Sequence, residues 1–308
     1  MKTILVPIDH TAAAEHTLAY ANKLAVRGPA EIVLLYCHQL DAAVAEPAAV
    51  LLAQEQRLRG LVERLRYQQL TRQNGRRIQY HYRVLAGCLH DHVQAEATAC
   101  AADLVVMGLA HIDCGQQEAP GNHAAAIIGL VACPVLVVPA GRRSLPNRLV
   151  FAADFDALNL HLLPRLSGLA SAFPGALDLV QFYPRAARPR RRQLKQALGR
   201  AAAQLTWPVI TEHLVEDEDP LEAVSDYCAR TQAQLLIIAP ASPALLLRYF
   251  DHCYTQTQAY HTQIPVLVLV LRAAEQPASG TCCAHCQQRQ AQEETAARLV
   301  AYRAVPWA

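Results

Sequence analysis

The sequence lacks the features that would assign it at once to a membrane, nucleic-acid-binding or hydrolytic class. No uncharged apolar run approaches the roughly 18 residues of a membrane-spanning helix. The formal net charge of +2 gives no field of one sign that would attract nucleic acid or a membrane surface. No G-x-S-x-G, H-E-x-x-H or G-x4-G-K-[S/T] motif occurs. We therefore expect a soluble protein without a membrane or nucleic-acid partner, and a binding module is favoured over an enzyme.

A disulfide framework is also missing, although the chain has ten cysteines. Seven of them are scattered singly, several inside apolar segments, which is typical of reduced and partly buried thiols. The apolar stretch at the start is interrupted by Pro7 and ended by Asp9, so it is too short for a secretory signal and indicates a first strand. These patterns predict a cytoplasmic protein.

Short β-branched runs alternate with helical patterns along the first half of the chain. Strands are predicted near 3–8, 31–37, 79–85, 103–107 and 135–138. Helices are predicted near 12–26, 46–74, 89–101 and 122–132. Because parallel strands need crossover connections, this order predicts a mainly parallel sheet with helices on both faces.

The second half repeats the scheme after a linker near 140–147. Its strands are predicted near 149–153, 177–182, 209–215, 235–239 and 266–271, with a helix near 189–205. Leu5 to Asp9 matches Val150 to Asp154 in pattern, and the Pro-Val-Leu-Val at Pro134 returns at Pro265. The chain is therefore divided into a domain at 1–140, a second domain at 147–272 and a cysteine-bearing tail at 273–308 with a helix near 290–302.

A spaced glycine pattern follows the fourth predicted strand. Gly108 is followed by His111, then by nine residues, then by Gly121 and Asn122, and a Cys-Pro-Val-Leu-Val-Val strand begins at Cys133. This segment resembles the closing third of a universal stress protein (UspA family) domain, whose signature is G-x2-G-x9-G-[S/T]. His replaces the second glycine and Asn replaces the Ser or Thr.

A second landmark of that family is an Asp that ends the first strand, present as Asp9 and again as Asp154. The resemblance covers 1–140 well and 147–272 more weakly. It implies two tandem open five-stranded sheets of Rossmann-like, adenine nucleotide alpha hydrolase-like fold with strand order 3-2-1-4-5. It also implies that the fifth strands of the two domains pair, which would make an intrachain pseudo-dimer; a homo-oligomer and a protein partner stay open.

By the same resemblance, ATP or another small ligand would bind in the first domain. The residues implied in contact with it are Asp9, Cys37, Gly108, His111, Gly121 and Asn122. A glycine turn brings backbone N–H groups to phosphates at a helix N-terminus. The His111 side chain would either obstruct the phosphate path or, when protonated, pair with it.

The second domain has lost the signature. The positions that correspond to the glycine pattern hold Ala239, Ser242, His252 and Cys253. Side chains there would occupy the space that phosphate needs, so ATP is expected in the first domain only. The resemblance thus implies a regulatory or signalling module of the stress response.

Two alternatives from other classes stay open. One is a nucleotide-hydrolysing enzyme, although no water-positioning residue is identifiable near Gly108. The other is a thiol or metal sensor acting through Cys282, Cys283, His285 and Cys286 of the tail, where the C-x2-C spacing is that of a zinc half-site. The metal is not specified by these residues, and adventitious thiols before a helix explain them equally.

The chain has one dense basic run. Its members are Arg185, Arg188, Arg190, Arg191, Arg192, Lys195 and Arg200. Such a run could meet RNA or an acidic partner. No aromatic residue interleaves with it, apart from Tyr183 beside its start, so a solvated loop and helix face is the simpler interpretation.

Overall fold

The computed structural model describes residues 1–38, 47–70, 78–111, 122–240, 246, 249–250 and 263–270. Helices within these ranges are too short or too polar to cross a membrane. The predicted tail beyond 272 lies outside them. The predicted domain bounds therefore stay a prediction.

The first half contains five strands and four helices, near the predicted positions. Its strands are β1 (Thr3–Pro7), β2 (Glu31–His38), β3 (Tyr80–Ala86), β4 (Leu104–Gly108) and β5 (Val135–Val138). Its helices are α1 (Ala12–Arg27), α2 (Pro47–Leu70), α3 (Leu89–Ala99) and α4 (Asn122–Leu130). Helix α1 begins where the Thr11 side chain accepts a hydrogen bond from the Ala14 N–H, at 3.3 Å, which satisfies one of the free donors of the first turn.

The second half contains five strands and three helices among the described residues. Its strands are β6 (Arg148–Ala152), β7 (Ala176–Tyr183), β8 (Ile210–Glu216), β9 (Leu235–Ile238) and β10 (Val266–Val268). Its helices are α5 (Leu163–Gly168), α6 (Arg191–Gln204) and α7 (Pro220–Thr231). Helix α7 begins at the N-cap Asp219 with Pro220 in its first turn, an arrangement that suits helix starts.

All ten strands form one sheet in the order β3-β2-β1-β4-β5-β10-β9-β6-β7-β8. Within each half the neighbouring strands are parallel, and the first half has the order 3-2-1-4-5. The predicted α/β class and strand order are confirmed. The second half has the same order read from the other end of the sheet.

The two halves meet at their fifth strands. β5 and β10 pair antiparallel, with Leu136 opposite Leu267 at the centre of three residue pairs. Arg165 of α5 reaches across this junction and donates to the carbonyl oxygens of Ala132 and Val270, at 2.7 and 3.1 Å. The two five-stranded sheets are therefore joined edge to edge, through their fifth strands, into a single ten-stranded sheet.

The core has two layers, one on each face of the sheet. Alternation along β1 sends Ile4 and Val6 into the layer under α1, α2, α5 and α6, while Leu5 points into the layer under α3, α4 and α7. This arrangement leaves the ends of the strands open. The carboxyl ends of β1, β2 and β4 therefore share one edge of the first half.

Candidate functional site

Three of the predicted ligand residues lie at the carboxyl edge of the first half. The register pairs Pro7 of β1 with Leu35 of β2, so Asp9, just past the end of β1, lies at the level of Cys37 near the end of β2. Gly108 ends β4, on the other side of β1. The strand order reverses direction between β1 and β4, and the crevice at such a point is where open α/β sheets bind ligands.

The Asp9 carboxylate is held in one orientation at the start of α1. The residue is only 9% exposed. Its Oδ1 accepts hydrogen bonds from the Thr11 N–H at 2.9 Å and from the Thr11 hydroxyl at 2.5 Å. Because Thr11 also caps α1, the carboxylate and the helix start form one rigid unit. A ligand at this edge would meet a preoriented acceptor.

Gly108 is required by the approach of α1. A side-chain carbon at this position would lie 3.0 Å from Oγ1 of the buried Thr17, closer than such contacts normally allow. The chain then turns, and the His111 N–H donates to the Gly108 carbonyl at 3.2 Å. The glycine is thus explained by helix packing, independently of any phosphate.

Three histidines, His90, His111 and His123, come together beside this turn, and we call them the histidine cluster. His111 Nδ1 and His123 Nε2 are hydrogen-bonded at 3.0 Å, and the two rings are nearly parallel with centroids 5.0 Å apart. The His90 ring meets His123 edge-on at 4.8 Å. One nitrogen of the bonded pair must donate and the other accept, so full protonation of both rings would break the bond.

The histidine cluster covers the start of α4. His123 is the second residue of that helix and is 5% exposed. The resemblance put His111 in place of a signature glycine, and its ring lies against this first turn, where backbone N–H groups would otherwise face a phosphate. The His111 imidazole therefore lies beside His123 at the helix start to which the resemblance assigns the phosphates.

A cavity of about 360 Å³ opens on the α1 and α2 side of Asp9. Arg57 and Arg64 of α2 line it, together with His10. His10 Nε2 is hydrogen-bonded to Gln54 Oε1 at 2.7 Å, and burial lowers the pKa of its imidazole. The loop 112–120 contains no Lys or Arg, so the positive charge near this edge comes from α2, where Arg64 pairs with Glu15 of the same cavity at 3.0 Å.

A larger cavity of about 510 Å³ lies at the opposite, amino end of the strands. It is lined by residues from both halves, including Met1, Asp103 and Arg165. No predicted ligand residue borders it. We place the candidate site at the carboxyl edge because the capped carboxylate, the glycine turn and the histidine cluster converge there.

The corresponding edge of the second half is occupied by its own side chains. Asp154 Oδ1 accepts hydrogen bonds from Gln181 Nε2 at 2.8 Å and from the Asp156 N–H at 3.1 Å. Gln181 is 2% exposed and comes from β7. Its amide therefore holds the carboxylate that is equivalent to Asp9, whereas Thr11 of the helix start holds Asp9 itself.

The remaining predicted site residues lie partly or wholly outside the described residues. Wholly outside are Gly121 and the tail residues Cys282, Cys283, His285 and Cys286. Asn122 is the first residue of α4, but only its backbone is described. In the part of the chain that the structure describes, no group of three or more His, Cys, Asp or Glu side chains is arranged to hold a metal ion.

Sequence analysis missed the histidine cluster and the two arginines of the cavity. His90 and His123 are 33 positions apart in the printed sequence, and no periodic pattern links them. Arg57 and Arg64 stand seven positions apart, which places them on the same side of a helix. The sequence could therefore have indicated that these two arginines share one face of α2. The sequence did not indicate that this face of α2 lies beside Asp9.

The fold is that of an α/β protein of the doubly wound type, with the candidate site beyond the carboxyl ends of the central strands. Residues 1–139 match the model of the Universal stress protein family. The first half of the chain is thus a domain of the Universal stress protein family. No curated protein matches the chain.

Solved structures extend the likeness to both halves. A universal stress protein from Archaeoglobus fulgidus DSM 4304 is 12% identical, with a TM-score of 0.61, over 86% of this chain and 97% of that one. A functionally unknown protein from Pseudomonas aeruginosa PAO1 is 16% identical, with a TM-score of 0.56, over 87% and 92% of the respective chains. At these identities the likeness shows the fold alone.

Proposed function

We propose that the protein is a cytoplasmic regulatory module of the stress response that binds an adenine nucleotide weakly, through its first half. The observation that carries the proposal is the capped, preoriented carboxylate of Asp9 at the carboxyl edge, beside Cys37 and Gly108. A buried carboxylate that accepts hydrogen bonds suits the amino group or the ribose hydroxyls of a nucleoside. Family membership of residues 1–139 supports the same choice.

The phosphates would lie against the start of α4, where His111 stands. An imidazole in place of glycine restricts close approach of the backbone, which is why we expect weak binding. A protonated imidazole can in turn pair with a phosphate, and Arg57 adds positive charge on the other side of Asp9, where Arg64 is paired with Glu15. Binding is therefore expected to depend on pH.

The second half is proposed not to bind nucleotide. Gln181 donates to Asp154 Oδ1, so its side chain lies beside the carboxylate at this edge, and Ala239 stands where the first half has Gly108. The second half would then act as a scaffold that completes the ten-stranded sheet.

A matched pair of substitutions tests the proposal. Asp9→Asn should abolish ATP binding, because the amide presents a donor where the nucleoside needs an acceptor. Asp154→Asn, the same change at the equivalent position, should leave the affinity unchanged. Isothermal titration of ATP into the full chain measures both, and Gly121→Val, which would block the implied turn, should behave like Asp9→Asn.

Two sites per chain, or loss of binding in the Asp154 variant alone, would overturn the assignment to the first half. Retained affinity in the Asp9 variant, with its fold verified by circular dichroism, would overturn the role of the carboxylate.

A further inference from the structure

A face of exposed positive charge lies at the start of α6, and the proposed nucleotide site makes no use of it. Between Asp178 and Glu212 the chain has no acidic residue and seven basic ones. All seven side chains are exposed, and we call them together the α6 basic face: Arg185, Arg188, Arg190, Arg191, Arg192, Lys195 and Arg200.

Only part of this face is neutralised within the chain. Arg188 pairs with Glu216 at 2.6 Å, and Arg190 pairs with Asp156 at 2.5 Å. The side chains of Arg191, Arg192 and Lys195 make no ion pair or hydrogen bond with any residue that the structure describes. Three neighbouring cations of the same helix are therefore left facing solvent.

Their position is electrostatically unfavourable for the helix itself. The N-terminus of a helix carries a partial positive charge, and the first turn of α6 holds Arg191 and Arg192 and no acidic residue. Lys195 follows Arg191 at i+4 and Arg192 at i+3, so like charges are neighbours on the helix surface. The fold would be more stable without these charges, which points to a role outside the fold.

The equivalent helix of the first half shows the contrast. On α2, Arg59 pairs with Glu55 at 2.6 Å and Arg66 pairs with Glu63 at 2.6 Å. Arg64 also reaches Glu15 of α1, at 3.0 Å. Three of the four arginines on α2 are thus paired with carboxylates of the same chain, whereas the α6 basic face keeps its excess.

We propose that the α6 basic face docks an acidic segment of a partner protein. Carboxylates of the chain itself already bind to this face, since Glu216 and Asp156 form ion pairs with it. The Gln193 amide also donates to both oxygens of Asp156, at 3.1 and 2.9 Å. Guanidinium groups match carboxylates in geometry and stay charged at any physiological pH. A Glu- or Asp-rich segment would continue this pairing along the helix.

Two other anionic partners fit less well. Single-stranded nucleic acid is held by aromatic side chains that stack on bases, and α6 has none. Membrane-surface helices insert an apolar face, but the apolar side of α6 is buried against the sheet through Leu194, Ala197, Leu198 and Ala201. The positive charge of the face calls for an anionic partner. Because α6 has neither stacking aromatic residues nor an exposed apolar side, an acidic polypeptide fits better than nucleic acid or a membrane.

The test uses the full chain and a fluorescein-labelled ten-residue glutamate peptide, with binding followed by fluorescence anisotropy at low and physiological salt. The triple variant Arg191→Gln, Arg192→Gln, Lys195→Gln should bind the peptide about tenfold more weakly than wild type, because three exposed charges are lost. The control Arg59→Gln, Arg66→Gln, Arg83→Gln removes the same charge from ion-paired arginines of the first half, outside the cavity beside Asp9, and should bind like wild type.

Thermal unfolding gives a second readout. The α6 triple variant should melt at or above the wild-type temperature, since it removes repulsion at the helix start. Equal peptide affinity in the two triple variants, or a lowered melting temperature in the α6 variant, would overturn the proposal. So would tighter, α6-dependent binding of a 20-nucleotide RNA or of phosphatidylserine vesicles, which would assign the face to those partners instead.

Discussion

At the scale of single residues, the unusual feature of the first half is the bonded pair His111 and His123. Each ring has two nitrogens, and the 3.0 Å contact between Nδ1 and Nε2 uses one lone pair and one proton. Histidine changes charge in the range between about pH 5 and 8. Protonation of both rings would break this contact and would place positive charge beside the start of α4.

We predict that ATP binds more tightly at pH 6 than at pH 8, by about threefold to tenfold, because a protonated imidazole pairs with phosphate while a neutral one only obstructs it. In the His111→Gly variant this pH dependence should disappear. Titration calorimetry at both pH values measures the effect, and adenosine, which has no phosphate, is the control ligand. Equal pH dependence for adenosine and ATP would show that the histidine acts elsewhere.

At the scale of elements, strands were easier to predict than the helices of the second half. The helix predicted near 189–205 begins at Arg191, after a 3-10 turn over Arg185–Arg190. Pro189 explains the delay, since proline lacks an N–H and disfavours helical backbone at the residue before it. Helix α5, which is only six residues long, lies between β6 and β7, where the first half has the longer helix α1 between β1 and β2.

The short strand β10 is predicted to contribute strongly to stability. Leu267 is fully buried at the centre of the pairing with β5. Leu267→Ala should lower the free energy of unfolding by about 2–5 kcal/mol, through lost burial and the cavity left behind. Val209→Ala, at a side chain 54% exposed, should change it by less than about 0.5 kcal/mol. Urea denaturation compares the two, and similar effects would mean that β10 is not firmly packed.

At the scale of the whole molecule, the linker at 140–147 is held against the first half. Gly141 has a φ of 107°, a conformation that glycine adopts without strain, and its N–H donates to His16 Nδ1 at 3.2 Å. Lys23 of α1 donates to the Arg143 carbonyl oxygen. The crossing from β5 to β6 is therefore fixed to α1, which orients the second half as it begins.

Cutting the chain within this linker should produce halves that reassociate when mixed or aggregate when kept apart, because each exposes an apolar fifth strand. Co-expressed fragments 1–143 and 144–308 should co-elute in size-exclusion chromatography, whereas separate fragments should scatter light at micromolar concentration. Two stable, separately folded monomers with no mutual affinity would contradict the interpretation that the β5 and β10 pairing makes a pseudo-dimer.

The sequence by itself determined the α/β class, the strand positions and, through the resemblance, the order 3-2-1-4-5. These follow from local patterns, since alternation of short apolar strands with amphipathic helices leaves few topologies. Asp9 and Gly108 were readable for the same reason, because each is fixed by its place at the end of a strand.

Only the tertiary structure decided which distant side chains meet. His90 and His123 are brought together by the packing of α3 beside α4, and Gln181 reaches Asp154 because β7 lies next to β6. Arg188 and Arg190 are neutralised because Glu216 at the end of β8 and Asp156 beyond the end of β6 lie next to them. Such contacts are set by three-dimensional packing between elements, and no local pattern in the chain encodes them.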